Sequence, residues 1–484
     1  MENKRVLGNM LWRFMERCGA QVVTFIVSII LARLLDPAVY GTIALVTVFT
    51  TILQVFVDSG LGTALVQKKD SDDLDFSTVF YFNFAMCVVL YVGIFFAAPL
   101  ISAFYDRPEL TLIVRVLSLT LVISGVKNIQ QSYISKNMLF KKFFVSSIGS
   151  TLLSAAVGVA MAYAGYGVWA LVAQSLVSNL TTAIILWFTV RWRPIFAFSF
   201  ERLRSLFSFG WKLLVSGLLE TVYNEVRSLI IGKKYSSSDL AYYNKGRQFP
   251  NLIIQNVNTS IDSVLLPVMS SEQDNKRRVM EMTRRAIKTS TYIIMPLMVG
   301  LAVCAEPLIR LLLTEKWLPC VLYMRVFCFT FAFYPIHTAN LNAIKAMGRS
   351  DLFLKLEIIK KIVGIAAIAI SMWFGVEWMA YSLMITTVIS QIINSFPNKK
   401  LLNYSYIHQL IDMLPQIALS FIMGAAVYLI NFIAVSDWIK LLIQVPLGVI
   451  VYTAGSLIFK LESFEYLWNM IKGILGKRKN REVK

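Results

Sequence analysis

Four stretches of the chain set charged and amide side chains three or four residues apart within otherwise apolar sequence. The first carries Arg13, Arg17, Gln21, Thr24 and Ser28, with Glu16 beside them. The second carries Thr47, Thr51, Gln54 and Asp58, the third Lys212, Ser216, Glu220, Asn224 and Arg227. The fourth carries Gln248, Asn251, Gln255, Asn258 and Asp262. This spacing puts each set on one face of a helix. A further apolar stretch holds Arg115, Lys127 and Asn128. Arginine and lysine bind phosphate by charge and donor geometry, so Arg17, Arg227 and Lys127 are candidates for holding an anion. Glu16, Glu220, Asp58 and Asp262 are candidates for coupling to a proton or sodium ion. A structural reading stands beside each. Arg13, Lys212, Asp58 and Asp262 lie near expected membrane edges, where such groups snorkel or cap. Glu16–Arg17 and Glu220–Arg227 are alternatively internal pairs that hold helices together.

The elements that carry these faces are membrane helices. Of 484 residues, 57% are hydrophobic and 15% charged, and the mean hydropathy is +0.64. A soluble domain carries about 25% charged residues. A spanning helix needs roughly 20 mostly apolar residues. Fourteen candidate spans lie near 13–35, 40–66, 77–102, 110–133, 143–164, 167–190, 210–232, 247–270, 288–313, 319–344, 353–373, 377–397, 411–434 and 438–459. A charge at mid-bilayer costs at least ~2.5–3.5 kcal/mol, so the polar faces of spans one, two, seven and eight should line a hydrated cleft.

The formal net charge of +19 is explained by orientation rather than nucleic acid. With the N-terminus in the cytoplasm, the inner segments hold Lys68, Lys69, Lys141, Lys142, Arg277, Arg278, Lys399 and Lys400, among others. The outer loops hold little beyond Arg33, Arg107, Lys233, Lys234, Lys316 and Lys440. That bias follows the positive-inside rule and puts both termini in the cytoplasm. Residues 191–209 mix aromatics with arginine and are expected along the membrane surface; 463–476 reads as an interfacial amphipathic helix followed by a basic tail.

The chain repeats. Ala97-Ala98-Pro99-Leu100-Ile101 recurs as Ala305-Glu306-Pro307-Leu308-Ile309, and Arg115-Val116 with Thr120 as Arg325-Val326 with Thr330. Trp169 matches Trp378, and Asp58-Ser59 more loosely Asp262-Ser263. Six spans per copy leave both copies in the same orientation, related by an axis along the membrane normal. The expected organisation is an all-α polytopic membrane protein: a six-helix lobe over 1–205, a second over 206–400, two added spans over 401–460, and a cytoplasmic amphipathic helix and basic tail over 461–484.

Chemistry of other kinds is not indicated. The five cysteines form no CxxC pair and the two histidines are too few for a histidine metal centre, so neither metal nor cofactor is expected. Asp70-Ser71-Asp72-Asp73 contains the D-x-D spacing of many glycosyltransferases. It stands alone before span three, where capping that helix explains it better. No P-loop, GxGxxG, HExxH or GxSxG motif occurs.

Leu31-Ala32-Arg33-Leu34-Leu35-Asp36-Pro37-Ala38-Val39-Tyr40-Gly41, then Asp58-Ser59-Gly60-Leu61 and Ala64-Leu65-Val66-Gln67, resembles the start of bacterial polysaccharide flippases. Gly165-Tyr166-Gly167-Val168-Trp169-Ala170-Leu171 and Leu240-Ala241-Tyr242-Tyr243-Asn244 are similar to later segments of that family. The family is the Wzx-like branch of the multidrug/oligosaccharidyl-lipid/polysaccharide exporter superfamily, and the likeness is to its lipopolysaccharide and colanic-acid exporter type. The resemblance implies two six-helix lobes around a V-shaped cleft in the bacterial inner membrane. It implies export of undecaprenyl-diphosphate-linked oligosaccharide by alternating access, for surface polysaccharide synthesis. The diphosphate would then meet Arg17, Arg227 and Lys127, and the sugars Gln21, Asn224, Asn251 and Gln255. Expected partners are the lipid-linked oligosaccharide, membrane lipids, and a polysaccharide polymerase and glycosyltransferases. Two alternatives stand: a cation-coupled drug exporter of the same superfamily, which would want an acidic, aromatic pocket, and a membrane-embedded glycosyltransferase, which would usually carry an extramembrane domain.

Overall fold

The structure, a computed structural model, describes residues 19–58, 60–469 and 472. Arg13, Glu16 and Arg17, and most of the basic tail, lie outside the described residues. Among those described, the chain is α-helical with short 3-10 turns and has no strand. It is a multi-pass membrane protein. Ten helices, some of them made of two segments, are long and apolar enough to cross a membrane. The other expected spans also coincide with helices: α1 (Gly19–Leu34) is short within the described residues, and three more, defined below as α9, α10 and α15, carry many polar and charged residues.

Contacts divide the chain into two compact units, 1–241 and 242–484. The first contains α1, α2 (Pro37–Asp58), α3 (Leu61–Gln67), α4 (Asp73–Tyr105), α5 (Leu110–Leu117), α6 (Leu119–Lys136), α7 (Phe140–Tyr163), α8 (Val168–Thr189) and α9 (Phe200–Lys234). The boundary then falls inside α10 (Ser237–Ser270). The second unit continues with α11 (Lys276–Val303), α12 (Ala305–Leu313), α13 (Cys320–Ala332), α14 (Tyr334–Ala346), α15 (Ser350–Ser371), α16 (Val376–Leu401), α17 (Tyr406–Leu429) and α18 (Asp437–Ile458). Spans two, four, nine and ten are thus each built from two helical segments.

Helix α9, span seven, packs directly on α2, span two, along most of its length. A Cβ on Gly60 would sit 2.4 Å from the Gly210 carbonyl oxygen, and one on Gly232 2.1 Å from a Leu45 methyl. At the far end, a Cβ on Gly41 would lie 1.8 Å from the Ser237 carbonyl oxygen. Small residues let membrane helices approach closely, and an ion pair of Lys233 with Asp106 at 2.9 Å ties the end of α9 to α4. The polar-stripe argument placed spans two and seven on a cleft. At this seam they touch instead, because Gly60 between α2 and α3 and Gly210 and Gly232 on α9 leave no side chain between the helices.

The repeated proline and arginine have a common physical cause. Pro99 has no N–H, so within α4 the carbonyl four residues earlier, Phe95, loses its donor. Arg115 Nε donates to that oxygen at 3.2 Å, and its guanidinium lies 4.2 Å from the Phe95 ring centroid. In the second copy α11 ends at Val303, four residues before Pro307 in α12. There Arg325 Nε donates to Ala302 O at 3.2 Å and Asn431 Nδ2 to Val303 O at 3.4 Å. Unsatisfied carbonyls are costly in lipid, so in each copy an arginine further along the chain satisfies a carbonyl near the proline. Arg115→Ala should cost about 1–3 kcal/mol in the wild type and much less in a Pro99→Ala background. A double-mutant cycle on unfolding free energy measures this; equal losses in both backgrounds would reject the pairing.

The acidic loop is a cap. Asp72 accepts from Asp75 N at 2.9 Å while the Asp75 carboxylate accepts from Asp72 N at 3.2 Å, a reciprocal capping box on α4. Lys68 pairs with Asp75 at 2.7 Å and Arg202 with Asp72 at 2.5 Å. The Asp75 N–H bond, then Arg202, hold the Asp72 carboxyl below its ordinary range. Residues 191–199 are tied to α4. Ser77 and Thr78 accept from Ile195 N and Ser199 N at 3.0 and 3.1 Å, and Trp192 is buried among Phe76, Phe80 and Ile129. Tertiary hydrogen bonds pin this segment to α4, and Trp192 serves the core while Phe196 and Phe198 stay exposed.

Candidate functional site

Within the first unit α2, α3, α6, α7 and α8 enclose a cavity of about 660 Å³. Its wall includes Asp58, Lys127, Asn128, Gln131 and a dense set of hydroxyls: Ser132, Ser135, Ser146, Ser147, Ser150, Thr151, Ser178 and Thr182. Lys127 reaches the wall because α6 presents it towards α8, where its Nζ donates to Asn179 Oδ1 at 2.5 Å. Asp58 is held at the last turn of α2 by Gln54 Nε2 at 3.0 Å and by Asn128 Nδ2 at 3.3 Å. Asn128 also donates to Val57 O at 2.8 Å, closing the break between α2 and α3. The cavity therefore holds one cation and one carboxylate that feel each other's charge.

The hydroxyl wall has a defined polarity. Ser146 donates to Phe143 O at 3.0 Å, Ser150 and Thr151 to Ser147 O at 3.0 and 2.7 Å, and Thr182 to Ser178 O at 2.8 Å. Their protons are committed to their own helices. Their oxygen lone pairs remain as acceptors. An acceptor-rich wall facing a lysine suits a ligand with many O–H donors and a negative charge.

Of the residues singled out in the sequence, Lys127, Asn128 and Asp58 meet in this cavity. Arg17 and Glu16 lie outside the described residues. Gln21 is half-buried on α1. Arg227 is buried on α9, while Glu220 and Asn224 are exposed there, with Asn224 Nδ2 donating to Glu220 Oε1 at 3.2 Å. Asn251, Gln255 and Asp262 belong to the second unit. There Asn342 Nδ2 donates to Asp262 Oδ1 at 2.9 Å and Thr338 Oγ1 to Asn258 Oδ1 at 2.6 Å. The asparagine–aspartate contact of α6 with α2 thus recurs between α14 and α10, which extends the repeat to side-chain geometry. Sequence reasoning missed the hydroxyl face of α7. Its signal was present as Ser146, Ser147, Ser150, Thr151 and Ser154 at helical spacing, but small hydroxyls barely interrupt an apolar run.

His337 is an interior histidine, its Nδ1 3.0 Å from Asn394 Nδ2. Among the described residues no cluster of three or more metal-binding side chains occurs.

Comparison with known proteins places these features in context. Residues 30–322 match the family described as polysaccharide biosynthesis protein. The succinoglycan biosynthesis transport protein ExoT of Rhizobium meliloti (strain 1021) is 26% identical over 314 residues, 65% of this chain and 64% of ExoT. The teichuronic acid biosynthesis protein TuaB of Bacillus subtilis (strain 168) is 25% identical over 63% of each chain. The matched stretch thus spans less than two thirds of either relative. The lipopolysaccharide biosynthesis protein WzxC of Escherichia coli (strain K12) is 20% identical over 82% of both chains. Among solved structures, the lipid II flippase MurJ in an inward closed conformation has a TM-score of 0.75 at 15% identity, covering 93% of this chain and 98% of MurJ. At that identity the likeness is one of fold.

Proposed function

Since the chain belongs to the polysaccharide biosynthesis protein family, we propose that it is a flippase for undecaprenyl-diphosphate-linked oligosaccharide. It carries the glycan from the cytoplasmic to the outer leaflet of a bacterial inner membrane by alternating access. It is not an enzyme in this reading. The observation that carries the reading is the acceptor-lined cavity with Lys127 at its wall. The ammonium supplies charge and donors to a phosphate, and the Ser/Thr oxygens accept from sugar hydroxyls. Arg17 and Arg227 are further diphosphate contacts, and Gln21, Asn224, Asn251 and Gln255 further glycan contacts. Glu16, Glu220, Asp58 and Asp262 are the acids available for ion coupling. A polymerase and glycosyltransferases are the functional partners, and both termini face the cytoplasm.

Mass spectrometry of lipid extracts from a deletion strain and its complemented parent tests the reading. Completed lipid-linked repeat units should accumulate in the deletion while surface polymer falls. Truncated units alone would instead indicate a glycosyltransferase, and unchanged lipids and polymer a drug exporter.

A further inference from the structure

The two copies of the repeat differ at their arginines. In the first copy Arg115 is partly buried and rests on the Phe95 ring. In the second, Arg325 is exposed and opens onto an apolar groove of about 440 Å³. The groove runs between α11, α13 and α17, and Phe329, Phe333, Phe421 and Tyr428 line it. It exists because α17, which lies outside the repeat, packs along α11. Only Nε of Arg325 is used, on the Ala302 carbonyl; its two terminal amino groups have no hydrogen-bond or ion-pair partner among the described residues. That bond fixes the guanidinium at the end of α11, six residues into α13. The site therefore sets two unpaired guanidinium amino groups at the edge of an apolar floor.

We propose that this groove is a binding site for one anionic glycerophospholipid of the surrounding membrane. The headgroup phosphate takes the two free amino groups of Arg325, which offer the forked geometry that phosphate oxygens match. One acyl chain lies over Phe329 and Phe421. The net charge of that headgroup distinguishes it from zwitterionic lipid, because a cation near a membrane surface adds about 1 kcal/mol of attraction to anionic lipid.

The test is native mass spectrometry of the full chain released from nanodiscs of phosphatidylglycerol and phosphatidylcholine. The wild type should retain one phosphatidylglycerol in preference to phosphatidylcholine. Arg325→Gln should lower that retention about fivefold. Ala425→Trp should do the same by filling the exposed groove wall without touching the arginine, which keeps the test valid if Arg325→Gln fails to fold. Arg115→Gln, which changes the capping arginine that has no groove, should retain lipid as the wild type does. Equal retention by wild type, Arg325→Gln and Ala425→Trp would overturn the proposal, as would equal retention of the two lipids or preferential retention of an added prenyl diphosphate.

Discussion

Lys127→Met is expected to lower export of the lipid-linked glycan by about 100-fold while folded protein is unchanged. Among the described residues Lys127 supplies the only ammonium on the cavity wall. A hydrogen bond to a charged group contributes about 1.5–3 kcal/mol, and the upper end is taken because no other cation is found on that wall among the described residues. At about 1.4 kcal/mol per tenfold, 3 kcal/mol is two decades. Methionine keeps the length and apolar stem of lysine, so packing against α8 survives. Asn179 loses its 2.5 Å partner but still donates to Ser175 O at 2.9 Å. Lys127→Arg should restore most of the rate. The measurement is the ratio of lipid-linked units to surface polymer, normalised to membrane-extracted protein. Full export by Lys127→Met would remove the cavity from the pathway while leaving the family assignment intact.

Asp412→Ala should destabilise the second unit by about 3 kcal/mol, the low end of the ~3–5 kcal/mol typical of breaking a buried pair. Asp412 is 8% exposed on α17 and is the hub of a network. Arg284 donates to it twice, at 2.8 and 2.6 Å, Tyr404 Oη donates at 2.8 Å, and Lys288 lies 4.0 Å away. The low end is chosen because Arg284 is half-exposed and can recover water. Asp412→Asn, which still accepts from Tyr404, should lose less. Lys288 also pairs with Glu462 at 2.5 Å, and Arg285 stacks on Tyr466 at 5.1 Å. These contacts dock residues 462–469 on α11. The Lys288 hydrogen bond holds the Glu462 carboxyl below its ordinary range, so this anchor persists at neutral pH and loosens only as pH falls into the carboxylate range. Denaturant unfolding of the detergent-solubilised protein checks the prediction, with protease cleavage after 461 as a second readout. A loss under 1 kcal/mol, with no new cleavage, would show the network to be incidental.

Much of the fold was legible because lipid imposes a strict rule. Every backbone group must be satisfied within the helix, so each long apolar run had to be one. The repeat was legible for a related reason: Pro99 orphans the Phe95 carbonyl, which Arg115 answers, and at the end of α11 Arg325 takes the Ala302 carbonyl and Asn431 that of Val303, four residues before Pro307. The D-x-D loop was legible as a cap because Asp72 and Asp75 stand at the spacing of a capping box.

The site was less legible, and for identifiable reasons. A polar stripe tells which residues share a helix face but not which neighbour that face meets. Spans two and seven looked like walls of a cleft, yet Gly60 and Gly210 bring their backbones into contact. The serines of α7 were hidden because a hydroxyl that bonds to its own helix weighs little in an apolar average. Residues 191–199 mix aromatics with arginines, and nothing in that local pattern tells that Ser77 and Thr78 take their backbone N–H groups.

By itself, then, the sequence determined the all-helical membrane architecture and the duplication, since each follows from local composition and spacing. Only the tertiary structure decided that Lys127 and Asp58 share one cavity, that α7 supplies its acceptors, and that Arg325 alone opens onto a groove. Those outcomes depend on which helices pack together, and packing is set by side-chain shape across the interface rather than by any single stretch of chain.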